Sequence, residues 1–197
     1  SASRPKRQPV AVASAQTLGR MRAVKASRCT LEPLVVAHAR EMFEVLSDPA
    51  IYEFENEPPP SEAWLAERYA RLESRASSDG SQVWLNWVLR LPGGELVGYV
   101  QASVLRSGSA LVAYELASSH WRKGIGSCAV SAMLEELRTN YGVSLFAAVL
   151  KAANYRSLGL LRSLGFQSAS PHQVVEFGAE PDEAVMVKPA ASTGHAA

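Results

Sequence analysis

Cysteine is scarce in this chain. Cys29 and Cys128 are the only two among 197 residues, with neither a disulfide framework nor metal-ligand spacing. That scarcity fits a reducing compartment, and a cytoplasmic location is the expectation. Long apolar runs are missing too. No stretch approaches the ~18–20 apolar residues that cross a bilayer, so no membrane partner is expected. The chain has no Walker-type phosphate loop, no Gly-x-Ser-x-Gly elbow, no clustered His, Cys, Asp and Glu, and no internal repeat. Nucleotide hydrolysis, nucleophilic-serine chemistry and a bound metal are therefore not expected.

What is present is ordinary for a globular domain: 47% hydrophobic and 20% charged residues, with a formal net charge of +1. The charge is uneven. Seven of the 20 basic residues lie in the first 28 positions, which carry no acid, so positions 29–197 hold 13 basic against 19 acidic residues. Residues 1–27 read as a basic tail, 28–189 as a single domain and 190–197 as a second tail. The basic tail raises a nucleic-acid arm as a competing reading, but solvated arginines account for it and nucleic acid is not the expected partner. An acidic body suits a cationic acceptor.

Periodicity supplies the elements. Residues 28–34 read as a strand, and 35–46 as a helix with Val35, Ala39, Met42, Phe43 and Leu46 on one face. Three prolines at 58–60 forbid helix and Ser61 caps the next one, over 62–74. Residues 82–91 and 95–105 form a hairpin around Pro92-Gly93-Gly94, and a third strand covers 110–117. Then come a helix from 128, a buried strand at 143–150, a helix at 154–164, extended chain from 166 and a last strand at 183–188. The order predicts an α+β fold: a mixed, mostly antiparallel sheet of about seven strands with helices on both faces.

The chemistry concentrates at two junctions. Between the strand ending at 117 and the helix beginning near 128 lies Trp121-Arg122-Lys123-Gly124-Ile125-Gly126-Ser127. Glycines there let backbone approach a phosphate, whose charge is met by unpaired first-turn N–H groups, the helix dipole and two basic side chains. Downstream, Asn154-Tyr155-Arg156-Ser157 opens a helix that closes on Leu164-Gly165-Phe166. Each piece alone has a plain structural explanation: a glycine before a helix, an Asn cap, a solvated Ser.

Together the two motifs resemble the GCN5-related N-acetyltransferase (GNAT) superfamily. Its cofactor loop reads Gln/Arg-x-x-Gly-x-Gly/Ala, and its second signature is Asn-x-x-Ser/Ala followed by Leu-Gly-Phe. Trp121 departs from the Gln/Arg position and is similar to the form found in the ribosomal-protein N-terminal acetyltransferase subgroup. The resemblance spans about residues 29–189 and implies an α/β/α sandwich that uses acetyl-CoA as acetyl donor. It implies that the backbone of Arg122, Lys123, Gly124, Ile125, Gly126 and Ser127 cradles the pyrophosphate. The edge of Tyr114, Glu115 and Leu116 would pair with the pantetheine, Leu116 N–H would polarise the acetyl carbonyl, and Asn154 and Ser157 would face the arm near the sulfur.

The usual acid and base positions hold Leu161 and Val149 instead of Tyr and Glu. Glu115 is therefore the candidate base and Ser157 the candidate acid. Tyr52, Glu53 and Phe54, in the loop between the first helices, together with Trp84 are the candidate acceptor residues. The expected activity is acetyl transfer to a primary amine, either a small molecule or a protein N-terminus. The missing Tyr and Glu also leave open a non-catalytic acyl-CoA-binding module on the same fold. A homodimer is compatible with the family.

Overall fold

The computed structural model describes residues 21–190; the remaining parts of the two expected tails, 1–20 and 191–197, lie outside the described residues. Among the described residues, eight strands make one sheet: β1 (Val24–Lys25), β2 (Thr30–Pro33), β3 (Gln82–Arg90), β4 (Leu96–Leu105), β5 (Ser109–Leu116), β6 (Leu145–Lys151), β7 (Gln167–Ser168) and β8 (Glu183–Pro189). Their spatial order is β1-β2-β3-β4-β5-β6-β8-β7, antiparallel throughout except for β5 with β6. The helices are α1 (Ala39–Val45), α2 (Glu62–Leu72), α3 (Ile125–Tyr141), α4 (Tyr155–Ser163) and α5 (Pro171–Glu176).

Strand alternation divides the buried residues between two faces. Leu85, Trp87 and Leu89 of β3, with Val100 and Ala102 of β4, pack with Ala129, Val130 and Met133 of α3. Val88 and Leu96, from the other face, pack with Met42 of α1 and Leu65 and Tyr69 of α2. Helices on both faces of a mostly antiparallel sheet are thus observed as expected. Ser61 caps α2, its hydroxyl accepting from Trp64 N at 3.0 Å.

Three local differences have physical causes. The helix expected over 35–46 begins as a 3-10 turn (Val36–His38), with Val35 N donating to His38 Nδ1 at 3.1 Å. An eighth strand, β1, lies inside the segment read as tail. Arg22 anchors that segment by a two-pronged pair with Glu136 of α3 (Nη2–Oε2 2.7 Å), and Trp87 Nε1 donates to the Arg22 carbonyl at 3.2 Å. The chain after Phe166 contains α5, set by Pro171 at its first turn and a reciprocal Ser170/Gln173 cap.

Candidate active site

The two central parallel strands separate almost at once. β5 and β6 pair only at Ser109–Leu145, Ala110–Phe146 and Leu111–Ala147. Beyond Leu111, β5 stays paired to β4 as far as Leu116 while its other edge faces a widening gap. Unpaired backbone inside a fold calls for a partner. The gap opens into a cavity of about 960 Å³ lined by β5, the N-terminal turns of α3 and α4, and the α1–α2 loop.

The loop into α3 supplies one wall. Arg122 (φ 60°) and Gly124 (φ 76°) both take left-handed backbone, winding the chain so that α3 opens toward the cavity. The first helical bond is Cys128 N to Gly124 O at 3.1 Å, so the earlier N–H groups lack an intrahelical acceptor. A Cβ on Gly124 would lie 3.3 Å from Arg28 Nε, placing a third basic side chain beside Arg122 and Lys123.

Glu115 lines the same cavity. Antiparallel register puts Val88, Tyr99 and Glu115 in one row on the α1/α2 face of the sheet. Burial pushes the Glu115 carboxyl up to about 7, with the Glu55 and Asp48 carboxylates acting in the same direction and the Leu116 N–H and Arg156 against it. Its Oε1 accepts from Leu116 N at 3.3 Å. Burial also raises Tyr52, to about 12, with Glu115 adding to the shift, and Tyr52 Oη donates to Leu46 O at 2.5 Å.

Arg156 ties the two sides of the cavity together. Its guanidinium carbon sits 4.3 Å from the Trp121 ring centroid, 5.1 Å from Phe54 and 5.4 Å from Tyr155, and its Nη2 donates to Glu53 Oε2 at 2.8 Å. Trp121 in turn donates Nε1–H to Leu116 O at 2.8 Å, fixing the end of β5. Across the splay, Lys151 N donates to Glu55 Oε2 at 3.3 Å. The α1–α2 loop is thus pinned to α4, to the loop before α3 and to β6.

Asp48 makes a further tie between the α1–α2 loop and the segment after β5. It accepts from Ser118 N (2.7 Å), Ser118 Oγ (2.6 Å) and Ala50 N (3.1 Å). Burial works to raise its pKa, but the Ser118 and Ala50 donors together hold it below the usual carboxylate value. Asp48→Ala is expected to lower stability by about 2 kcal/mol, because Ser118 N loses its acceptor. Thermal denaturation checks this, and a melting point unchanged within a degree would contradict it.

Most of the sequence-selected residues converge on the one cavity. Tyr114, Glu115, Leu116, Arg122, Gly124 and Gly126 line it, as do Ser127, Asn154, Ser157, Tyr52 and Phe54. Asn154 caps α4, its Oδ1 accepting from Ser157 N at 3.2 Å, and Tyr114 Oη donates to Ser157 O at 3.3 Å. Four lie elsewhere. The Ile125 side chain turns into the core and Lys123 is exposed, which leaves their backbone as the part near the loop. Glu53 is engaged by Arg156, and Trp84 lines a neighbouring cavity.

A family model described as an acetyltransferase (GNAT) domain matches residues 28–167. The chain belongs to the GNAT acetyltransferase family. Among curated proteins, this GNAT chain is similar to an N-acetyltransferase p20 of Bacillus licheniformis, 24% identical over 149 residues, covering 75% of this chain and 83% of that protein. Among solved structures it resembles RimL, a ribosomal L7/L12 alpha-N-protein acetyltransferase in complex with coenzyme A, with a TM-score of 0.72 at 13% identity over 85% of this chain and 98% of that one. It also resembles Mycobacterium smegmatis RimJ in complex with CoA-disulfide, with a TM-score of 0.70 at 20% identity over 85% and 87% of the two chains. At these identities the structural likeness speaks for the shared GNAT fold. Among the described residues, no helix is long and apolar enough to cross a membrane.

Proposed function

We propose that this GNAT protein is an acetyl-CoA-dependent N-acetyltransferase that moves an acetyl group onto a primary amine, with Glu115 as the base. The observation that carries the reading is a carboxyl held near 7 beside the Leu116 N–H, at the mouth of a splayed strand pair. A base poised near neutral pH is matched to taking a proton from an ammonium group.

The residues present fit the cofactor. The free edge of β5 offers backbone to an extended arm, and the open first turn of α3 with Arg28, Arg122 and Lys123 suits a pyrophosphate. A Cβ on Gly126 would lie 3.1 Å from Leu160 Cδ1, so this wall sits close against α4 and a larger residue would require the Leu160 tip to give. The CoA-containing structures of RimL and RimJ support the same cofactor class. Acetyl-CoA would supply an activated thioester.

The chain's own groups do the rest. Once released by Glu115, Leu116 N–H would donate to the acetyl oxygen, where charge develops. The freed Glu115 carboxylate would take one proton from the ammonium, leaving the lone pair to form the N–C bond as the C–S bond breaks; the second proton that nitrogen loses would pass to Ser157 while the Ser157 hydroxyl proton goes to the departing sulfur. The acceptor is a small-molecule amine or a protein N-terminus.

The test is thiol release from acetyl-CoA with a panel of peptides, amino acids, polyamines and aminoglycosides. Amine-dependent release is the expected result. Acetyl-CoA binding without release across the panel would leave the protein a binding module and overturn the proposal.

A further inference from the structure

The sheet face that carries Glu115 does not remain apolar. The Val88–Tyr99–Glu115 row is covered by α1 and α2. The next rows along the strands are Asn86–Gln101 and Trp84–Ser103, with Gln82 beyond them. A helix packed onto this stretch would need apolar residues beneath it. Here α2 presents Arg68, Arg71 and Leu72 instead, over a second cavity of about 370 Å³. The two cavities share Arg68, Leu72, Asn86 and Gln101, so they form one groove leading away from Glu115.

The charges along the groove are unevenly paired. Glu55, Glu57 and Glu115 line the end where the amine would react; Arg122 and Arg156 line it too, Arg156 being paired with Glu53. Arg71 lines the other end and Arg68 the join between the two cavities, and neither forms an ion pair among the described residues. Glu67 and Glu73 of the same segment line neither cavity. From Tyr99 to Ser103 is four residues of strand, or roughly 13 Å at about 3.3 Å each. Between the ends sits Tyr69, 3% exposed, whose hydroxyl has no hydrogen-bond partner among the described residues. An unpaired buried hydroxyl is costly, so a ligand group that pairs with it gains by binding.

Resting on the acetyltransferase reading, we propose that the acceptor is the N-terminal segment of a polypeptide with an acidic side chain at about its third to fifth residue. The terminal amine lies among the glutamates. The extended backbone follows the amide floor of Asn86 and Gln101 and meets the Tyr69 hydroxyl. The acidic side chain reaches Arg68 and Arg71, for which a bidentate carboxylate is the natural partner. A polyamine would set positive charge against both arginines, so it is disfavoured at that end.

The experiment compares kcat/KM for hexapeptides that differ only by Asp or Lys at position four, with spermidine as a third acceptor, in the wild type and in an Arg68→Glu/Arg71→Glu double variant. The wild type is expected to favour the Asp peptide by 10-fold or more, chiefly through KM, and the double variant to reverse the order. Each ratio is internal to one enzyme, so a general loss of activity in the variant does not distort it. Equal use of both peptides, a ratio unmoved by the charge reversal, or spermidine as the preferred acceptor overturns this proposal while leaving the acetyltransferase reading intact. Absence of thiol release with every amine strikes that reading itself. Arg68→Gln, a milder change on an exposed helix position, is expected to lower the Asp/Lys ratio toward one and serves if the double variant misfolds.

Discussion

Glu115→Gln is expected to lower kcat by 10²–10³-fold and to remove the rising limb of the pH profile. The size follows from the usual contribution of a positioned base. In the wild type the protonated carboxyl cannot accept the amine proton, so kcat/KM rises with pH and reaches half its plateau at about 7. With Gln in place, the remaining pH dependence follows only the acceptor amine. An unchanged turnover and profile would remove Glu115 from the chemistry.

The same substitution has an opposite effect on stability. The folded-state pKa of Glu115 is raised from 4.5 to about 7, so between those values the native state holds a proton that the unfolded chain releases. The associated stability is fully present below 4.5 and is lost as pH rises through about 7. The displacement corresponds to at most ~3 kcal/mol. The Gln variant, neutral at every pH, is expected to melt several degrees above the wild type at pH 8. It should show little difference at pH 4. An activity loss coupled to a stability gain above neutral pH would separate a functional carboxyl from a structural one.

Gly98→Ala is expected to lower the melting temperature by roughly 5–15 °C and to reduce kcat by about 100-fold. Gly98 pairs with Leu116, next to an irregularity where β4 runs Leu96, Val97, Gly98 against Arg90 and Leu89. A Cβ at Gly98 would run into the Glu115 carbonyl oxygen, with the Leu116 Cα 3.0 Å away. Backbone atoms cannot swing aside as a side-chain tip can, so the Glu115–Leu116 peptide has to shift. That peptide carries the N–H proposed to hold the acetyl oxygen and the side chain proposed as base. Thermal denaturation and steady-state kinetics measure both effects. A variant with wild-type values would show that β4 and β5 yield here without consequence.

The loop at 121–127 and the Asn154 cap were legible in sequence because each is a local device. A left-handed glycine, an open helix turn and an Asn accepting from N3 are set by residues a few positions apart. Gly98 was not legible: its requirement comes from a partner 18 positions away, and a strand glycine seen alone only weakens a strand. The Asp48–Ser118 tie, 70 residues across, was hidden for the same reason, as was the stacking of Arg156 on Trp121. β1 is two residues long and too short to show a period. α5 differs: Ser170-Pro171-x-Gln173 is a helix start, but the six residues of the helix carry no buried stripe to mark it by period.

Three residue pairs between β5 and β6 join a five-stranded half-sheet, β1 to β5, to a three-stranded one, β6, β8 and β7. In mechanical terms the molecule is two plates sharing a short seam. The seam is backed by one apolar cluster that draws on both plates, including Leu31 and Val100 from one and Phe146 and Met186 from the other. The gap between the facing edges is lined by the first turns of α3 and α4, so the unpaired backbone opens into a cavity and not onto a free sheet edge. Unpaired strand backbone placed this way avoids the exposed edge that invites aggregation.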